Sequence, residues 1–282
     1  MPTSRRAVLV APASDERKAI KALESDADEV VLDLEDAVPP DRKVAARALI
    51  YQLISTGRRR GTIAVRINAI SSAWGADDLA ACARASGLDS IVIPKAESAQ
   101  NMLEADRALS GTNVKIQALV ETPSGVQNLA EITTATTRLV GLIIGYADLG
   151  AALGRTSTAP HEQWLSIQSA VLVAARAADI DAIDGPHLGI TADDRFLAAL
   201  TWTRDLGFDG KWIIHPTQIN DTIAAFTPSP VDVDNARQII AELAAAAIEG
   251  RGAARLNGQM LDEAVAVAAR RVLRRAGQPT DR

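Results

Sequence analysis

The chain has 282 residues, 48 % hydrophobic and only 3 % aromatic, with a formal net charge of −5. Its length and apolar content allow one large core and exclude a disordered or low-complexity chain, and the lack of a basic excess argues against a nucleic-acid binder. The single cysteine, Cys82, excludes an internal disulfide and a thiolate cluster.

Residues 1–6 carry no signal-peptide pattern, and no apolar run reaches the length of a membrane span, so a cytoplasmic protein without membrane attachment is expected. The first apolar run, 7–10, leads into Ala11 and Pro12 and a helix over 15–24. Strand 29–34 and helix 42–54 follow. Arg58, Arg59 and Arg60 then form the one dense basic stretch, read as a solvated loop. Next come strand 62–67 with helix 77–86, which holds Cys82 as a small buried hydrophobe, and strand 90–93, stopped by Pro94, with helix 98–109. Strands 114–120 and 139–144 are paired with helices 125–132 and 162–177. A short strand, 181–183, precedes helix 194–206, and strand 212–214 ends in His215 and Pro216. Pro228 and Pro230 then punctuate the chain before an Ala-rich helix, 233–248, a Gly/Arg break at 250–252 and a last helix, 262–275.

Eight strand-and-helix units in alternation predict parallel strands joined by right-handed crossovers, and at this length a closed (β/α)8 TIM barrel. No early strand is followed by GxGxxG or GxxxxGK[ST], which disfavours dinucleotide and P-loop folds. The barrel is expected over 1–227. Residues 228–282 read as a C-terminal helical extension too small and Ala-rich to bury its own core.

Active sites of such barrels lie at the C-terminal ends of the strands. Here those ends carry Asp33, Glu35 and Asp36; Arg66 and Asn68; Lys95 and Glu97; Glu121; Tyr146 and Asp148; and His215. One charged residue at a strand end is commonly a cap, but a ring of both signs predicts a shared site. With no HExxH, HxH or Cys/His cluster, the carboxylates suit a hard cation rather than zinc, and Glu121 and Asp148, from adjacent strands, can supply the one or two carboxylates that Mg2+ typically takes. Arg66 is suited to clamp a substrate carboxylate bidentately; a structural salt bridge to Glu35 or Asp36 is the alternative, and both can hold together.

Seven segments resemble, in order, the citrate lyase β-subunit-like branch of the HpcH/HpaI aldolase family: VLDLEDAVPPDRKVAAR (31–47), VRIN (65–68), IPKAES (93–98), ALVETPSG (118–125), IIGYADL (143–149), GFDGKWIIHPTQI (207–219) and NGQMLDE (257–263). The resemblance implies a (β/α)8 barrel with a C-terminal helical extension, commonly trimeric. It implies a carbon–carbon lyase that cleaves a malyl-, citramalyl- or citryl-type thioester into an acetyl or propionyl thioester and an oxoacid. Thioesterase and malate synthase activities occur on the same scaffold, as does a β subunit that works only within a multi-subunit citrate lyase.

Carried over by position, the resemblance places metal ligands (Mg2+, with Mn2+ as the alternative ion) on Glu121 and Asp148, and a substrate-carboxylate arginine on Arg66. An acidic pair falls on Glu35 and Asp36, with Lys43 nearby. Asp262 becomes the acid that handles the proton of the thioester enolate, supplied to the site of a neighbouring copy. Arg17 and Lys21 fall where basic residues contact CoA phosphates. The family's acidic position after AIDG falls on Gly189, which leaves the thioester-side contacts and the acyl carrier open. His215 is read either as an acid–base group or as part of a structural His-Pro turn.

Overall fold

Eight short runs of aliphatic and β-branched residues form parallel strands: β1 (Ala7–Pro12), β2 (Glu29–Asp33), β3 (Thr62–Arg66), β4 (Ser90–Ile93), β5 (Lys115–Val120), β6 (Leu139–Ile144), β7 (Asp181–Asp184) and β8 (Gly210–Ile213). In the computed structural model, which describes residues 4–56, 59–156 and 159–278, they close in sequence order into a barrel. Closure joins β8 to β1, with Ala7 opposite Lys211 and Leu9 opposite Ile213. The expected barrel is therefore found, including the short strand at 181–184.

Side chains alternate along a strand, so one inward position per strand fixes the others. Val8, Val31, Ala64, Val92, Leu119, Ile143, Ile183 and Trp212, one from each strand, form a buried middle layer. Two residues earlier, the same parity gives Glu29, Thr62, Ser90, Gln117 and Asp181; two residues later it gives Asp33, Arg66 and Glu121. The lower layer is polar and tightly paired. The fully buried Glu29 accepts from Gln117 Nε2 at 2.7 Å, Arg5 Nε at 3.1 Å and Thr62 Oγ1 at 3.1 Å. Arg5 Nη1 also reaches Asp181 at 2.7 Å.

The surrounding helices start where a side chain can cap them. Asp15, Thr122 and Asp193 accept from the first-turn N–H groups of helices Glu16–Leu23, Pro123–Gln127 and Asp194–Leu206. Gly207 ends the last of these at φ 109°, a left-handed cap that glycine adopts without Cβ strain. Two helices go beyond the sequence reading, Tyr146–Ala152 and Ile219–Phe226. Cys82 is buried in helix Gly75–Arg84, as expected. Arg59 and Arg60 lie exposed in the loop between helix and strand, as expected, where Arg59 Nη1 pairs with Asp89 at 2.5 Å and Arg60 pairs with Asp26. Arg58 lies outside the described residues.

The chain divides into two compact units at Ile223/Ala224, within the helix Ile219–Phe226. In the C-terminal unit, helix Pro230–Ile248 opens with a capping box in which Ser229 and Asp232 exchange hydrogen bonds. A hairpin that the sequence reading left as a break, β9 (Ala254–Leu256) with β10 (Gln259–Leu261), leads to helix Glu263–Arg275. The expectation that this segment buries no core is corrected. Ala236, Ala269 and Leu273 are buried together against Val233, Ile239, Ile240 and Val272, and Ala246, Ala254 and Leu261 form a second cluster. Alanine here acts as a close-approach residue between two helices and a hairpin.

Candidate active site

The upper inward layer of the barrel begins with Asp33 at the end of β2. Its carboxylate accepts from the N–H of Glu35 at 2.9 Å and of Ala37 at 3.0 Å, which folds the strand end into a turn. The same carboxylate takes both parallel donors of Arg66, Nε at 2.7 Å and Nη2 at 2.6 Å. The bidentate fork expected for a substrate thus engages Asp33. Nη1 is the arm turned to the site, 3.2 Å from Glu35 and 3.5 Å from Asp36. Both carboxylates expected as Arg66 partners are found, and Asp33 is the stronger partner that sequence reasoning missed. Burial works against the Arg66 charge, but the hydrogen bond and charge of Asp33, with Glu35 and Asp36, raise its pKa overall.

A second brace holds the Glu35 turn from behind. The buried Lys43 ammonium donates to the carbonyls of Leu34 and Glu35, each at 2.9 Å, and to Asn68 Oδ1 at 2.6 Å. Asn68 in turn donates to Asp78 Oδ2 at 2.6 Å, and Arg47 Nε closes the chain on Asp78 at 2.7 Å. Every proton of the Lys43 ammonium has an acceptor, as a buried charge requires.

Across the rim, three carboxylates converge on one lysine. Lys95 Nζ lies 2.7 Å from Glu35, 3.2 Å from Asp148 and 3.8 Å from Glu121. Its backbone N–H donates to Glu121 Oε1 at 2.9 Å from a left-handed conformation, φ 47°. Gly145, at the end of β6, makes room for Glu121: a Cβ there would lie 2.5 Å from Glu121 Cβ and 2.7 Å from Oε2. Burial, and then the charge of Glu35, push Glu121 up to about 7. Burial also raises Glu35, against the opposing pull of Arg66 and Lys95. Glu35 Oε2 is buried and accepts no hydrogen bond. The rim is therefore rich in carboxylates held close together at an electrostatic cost, which a bound cation relieves.

Two of those carboxylates, Glu121 and Asp148, suit a hard divalent ion in type and number. Among the described residues no group of three or more His, Cys, Asp or Glu side chains has metal-site geometry. An ion here would complete its coordination with water and substrate oxygens. The turn carrying Asp148 is anchored by its neighbour Tyr146, whose hydroxyl donates to Asp184 Oδ1 at 2.5 Å and accepts from Gln168 Nε2 at 2.7 Å. Lys211 pairs with the same Asp184 and donates to the carbonyl of Gly185 at 2.7 Å.

Glu35, Asp36, Arg66, Glu121 and Asp148 are thus brought together, and Lys95 joins them. Arg17 and Lys21 are exposed on helix Glu16–Leu23, lining a shallow hollow with Glu16, Ile20 and Glu24. Asp262 belongs to the C-terminal unit, where it caps helix Glu263–Arg275 by accepting from Val265 N–H at 3.1 Å. His215 caps the turn Pro216–Gln218, with Nδ1 2.9 Å from Thr217 Oγ1. The Gly189 carbonyl accepts from Gln218 Nε2 at 2.8 Å, and a side chain at 189 would start 2.7 Å from His187 Nε2.

Residues 6–216 match the model of the HpcH/HpaI aldolase/citrate lyase family. The chain belongs to that family. It is an enzyme of the family, and its relatives span nearly its full length. A (3S)-malyl-CoA thioesterase of Cereibacter sphaeroides is 37 % identical over 274 residues, covering 96 % of this chain and 94 % of that protein. A citrate lyase subunit beta of Escherichia coli is 34 % identical, covering 97 % and 93 %. The crystal structure of CitE from Mycobacterium tuberculosis in complex with magnesium, acetoacetate and coenzyme A superposes with a TM-score of 0.77 at 35 % identity, covering 99 % of this chain and all of that one. The family expected from the seven segments is the family found.

Proposed function

We propose that this enzyme is a Mg2+-dependent carbon–carbon lyase. It cleaves a 3-hydroxy di- or tricarboxylic acyl thioester of malyl, citramalyl or citryl type into an acetyl or propionyl thioester and an oxoacid. The observation that carries this reading is that Glu121 and Asp148 converge on Lys95 at one barrel rim, where Lys95 shares Glu35 with Arg66 Nη1. That pairing suits an oxyanion-forming reaction of a carboxylate substrate.

Arg66 Nη1 binds and orients the substrate carboxylate, and Asp33 keeps the guanidinium plane from turning. Glu121 and Asp148 would hold the ion, which supplies charge stabilisation for an oxygen becoming a carbonyl. In the cleavage the hydroxyl loses its proton, its oxygen forms the new C=O, and the C–C bond pair passes to the thioester half as an enolate. Protonation of the enolate carbon completes the reaction. Glu35 and Asp36 lie beside the carboxylate end and serve as the basic groups of the site. Asp262, supplied by a neighbouring copy in a homo-oligomer, most simply a trimer, is the acid for the enolate. Arg17 and Lys21 are the candidate contacts for the CoA phosphates.

A hydrolytic reading is favoured by the relative named a malyl-CoA thioesterase, and an obligate-subunit reading by the one named a citrate lyase subunit beta. Incubation of the purified chain with malyl-, β-methylmalyl-, citramalyl- and citryl-CoA decides among them. Oxoacid plus acetyl- or propionyl-CoA is the expected result. Free CoA without oxoacid overturns the lyase in favour of hydrolysis. Silence on every CoA ester, with activity restored by an acyl carrier partner, favours the obligate subunit. Mixing inactive Asp262→Ala and Glu121→Ala chains checks assembly, because shared sites regain part of the activity.

A further inference from the structure

We infer that Lys95 is the exchangeable cation of this site: its ammonium and a divalent ion compete for Glu121 and Asp148, so the lysine sets how tightly the ion is held. The inference rests on the reading of Glu121 and Asp148 as metal ligands, and adds a residue to which that reading gives no part.

Three buried or half-buried lysines can be compared. Lys43 is held by two backbone carbonyls and an amide oxygen, and Lys211 by the Gly185 carbonyl and Asp184. None of those acceptors belongs to the carboxylate cluster. Lys95 Nζ instead touches only carboxylates, and two of its three are the proposed ligands. Its side chain is 38 % exposed, against 2 % for Lys211. The head of Lys95 is therefore held by charges that another cation can take over.

The root of the same residue is fixed. Its N–H is bonded to Glu121 Oε1, its backbone is left-handed, and the next N–H, of Ala96, donates to the Leu119 carbonyl at 3.1 Å. Glu121 thus keeps one orienting donor when the ammonium leaves. Glu35, the acceptor nearest to Nζ at 2.7 Å, is the place where the ammonium stays. Two cations on the same pair of carboxylates repel each other, and at the rim of a barrel that repulsion is only partly screened. Removing the lysine charge strengthens metal binding; removing a ligand abolishes it.

The test is Mn2+ binding to the full chain after chelator treatment, followed by electron paramagnetic resonance of the free ion. Lys95→Met keeps the length of the side chain without its charge and is expected to bind Mn2+ roughly tenfold more tightly than the parent. Lys95→Arg, which keeps the charge, is expected to stay near the parent. Binding by Lys95→Met that is equal to the parent's or weaker overturns the inference. Loss of binding in Glu121→Gln is the separate check of the ligand reading: Mn2+ binding that survives there sinks the site, whatever Lys95 does. If Lys95→Met fails to fold, the parent chain answers. Reductive methylation, read by mass spectrometry, should label Lys95 more when Mg2+ is added, with Lys43 and Lys211 as unlabelled internal controls. Unchanged or reduced labelling of Lys95 overturns competition.

Discussion

The two ends of the barrel use the same chemistry in opposite ways. At the N-terminal end, Glu29, Arg5, Asp181 and Thr62 pair their charges and donors across the strands with Gln117 Nε2, and the atom left without a partner is a neutral one, the amide oxygen Gln117 Oε1. At the C-terminal end, Asp33 and Arg66 form one equally closed pair. Beside it Glu35, Glu121 and Asp148 share the half-exposed Lys95, and Glu35 Oε2, though 3.2 Å from Arg66 Nη1, accepts no hydrogen bond. Burial of charge costs free energy unless the charge is paired and hydrogen-bonded. The lower end meets that demand for its charges from within the chain, whereas the upper end leaves a buried carboxylate oxygen, Glu35 Oε2, without a hydrogen bond, a demand that the proposed ligand would meet. Number of charges does not separate a functional rim from a structural one; completeness of their pairing does.

Substitutions at the two ends should therefore fail differently. Glu121→Gln is expected to lower kcat/KM by at least about 1000-fold, or about 4 kcal/mol, with the melting temperature nearly unchanged. A large fall in melting temperature would make the upper end structural after all. Glu29→Ala at the lower end is expected to destabilise the fold by about 3–5 kcal/mol in urea unfolding, because it takes from the buried Arg5 one of its two carboxylates, leaving only Asp181, and removes the acceptor of Gln117 Nε2 and Thr62 Oγ1. Lys43→Met tests the brace between the extremes: roughly 1–3 kcal/mol of stability should be lost, because buried acceptors go unsatisfied. The comparison blurs if that variant unfolds no earlier than the parent.

Asp262 has both a structural and a proposed chemical role, and two variants separate them. Asp262→Ala should remove a helix cap worth about 1 kcal/mol, whereas Asp262→Asn should keep the cap. Both should lose activity if the carboxyl handles a proton; an active Asp262→Asn protein leaves it a cap alone. The smallest expected effect is at Cys82. Burial pushes its thiol up to about 12, so an alkylating reagent at pH 8 should leave it unmodified until the chain is denatured.

The strands and most helices could be read from the chain because aliphatic runs and helical periodicity are local signals. Even β7 was legible, since Asp181 and Asp184 bracket an apolar pair in the rhythm of the other strands. The β9–β10 hairpin was not, because three-residue strands around Asn257 and Gly258 carry too little alternation to detect. In the site, Glu121, Asp148 and Arg66 were legible as charges at strand ends. The preference of Arg66 for Asp33 was not: it depends on the register that sets the two residues opposite each other. Lys95 was visible as a strand-end residue without a role, because three carboxylates from three other segments define its place.

Closure of the barrel also has a consequence for how the chain is made. Leu9 finds its neighbour Ile213 only after the residues between them have been translated, and the Lys211 N–H then donates to the Arg6 carbonyl at 2.8 Å. Until that moment β1 presents a strand edge on a nascent chain, open to pairing with another polypeptide. The contact that removes this edge is among the longest in sequence separation, so it is made late and slowly. The seam between the first and last strands is therefore where crowding on the ribosome, or a chaperone that relieves it, has most to act upon.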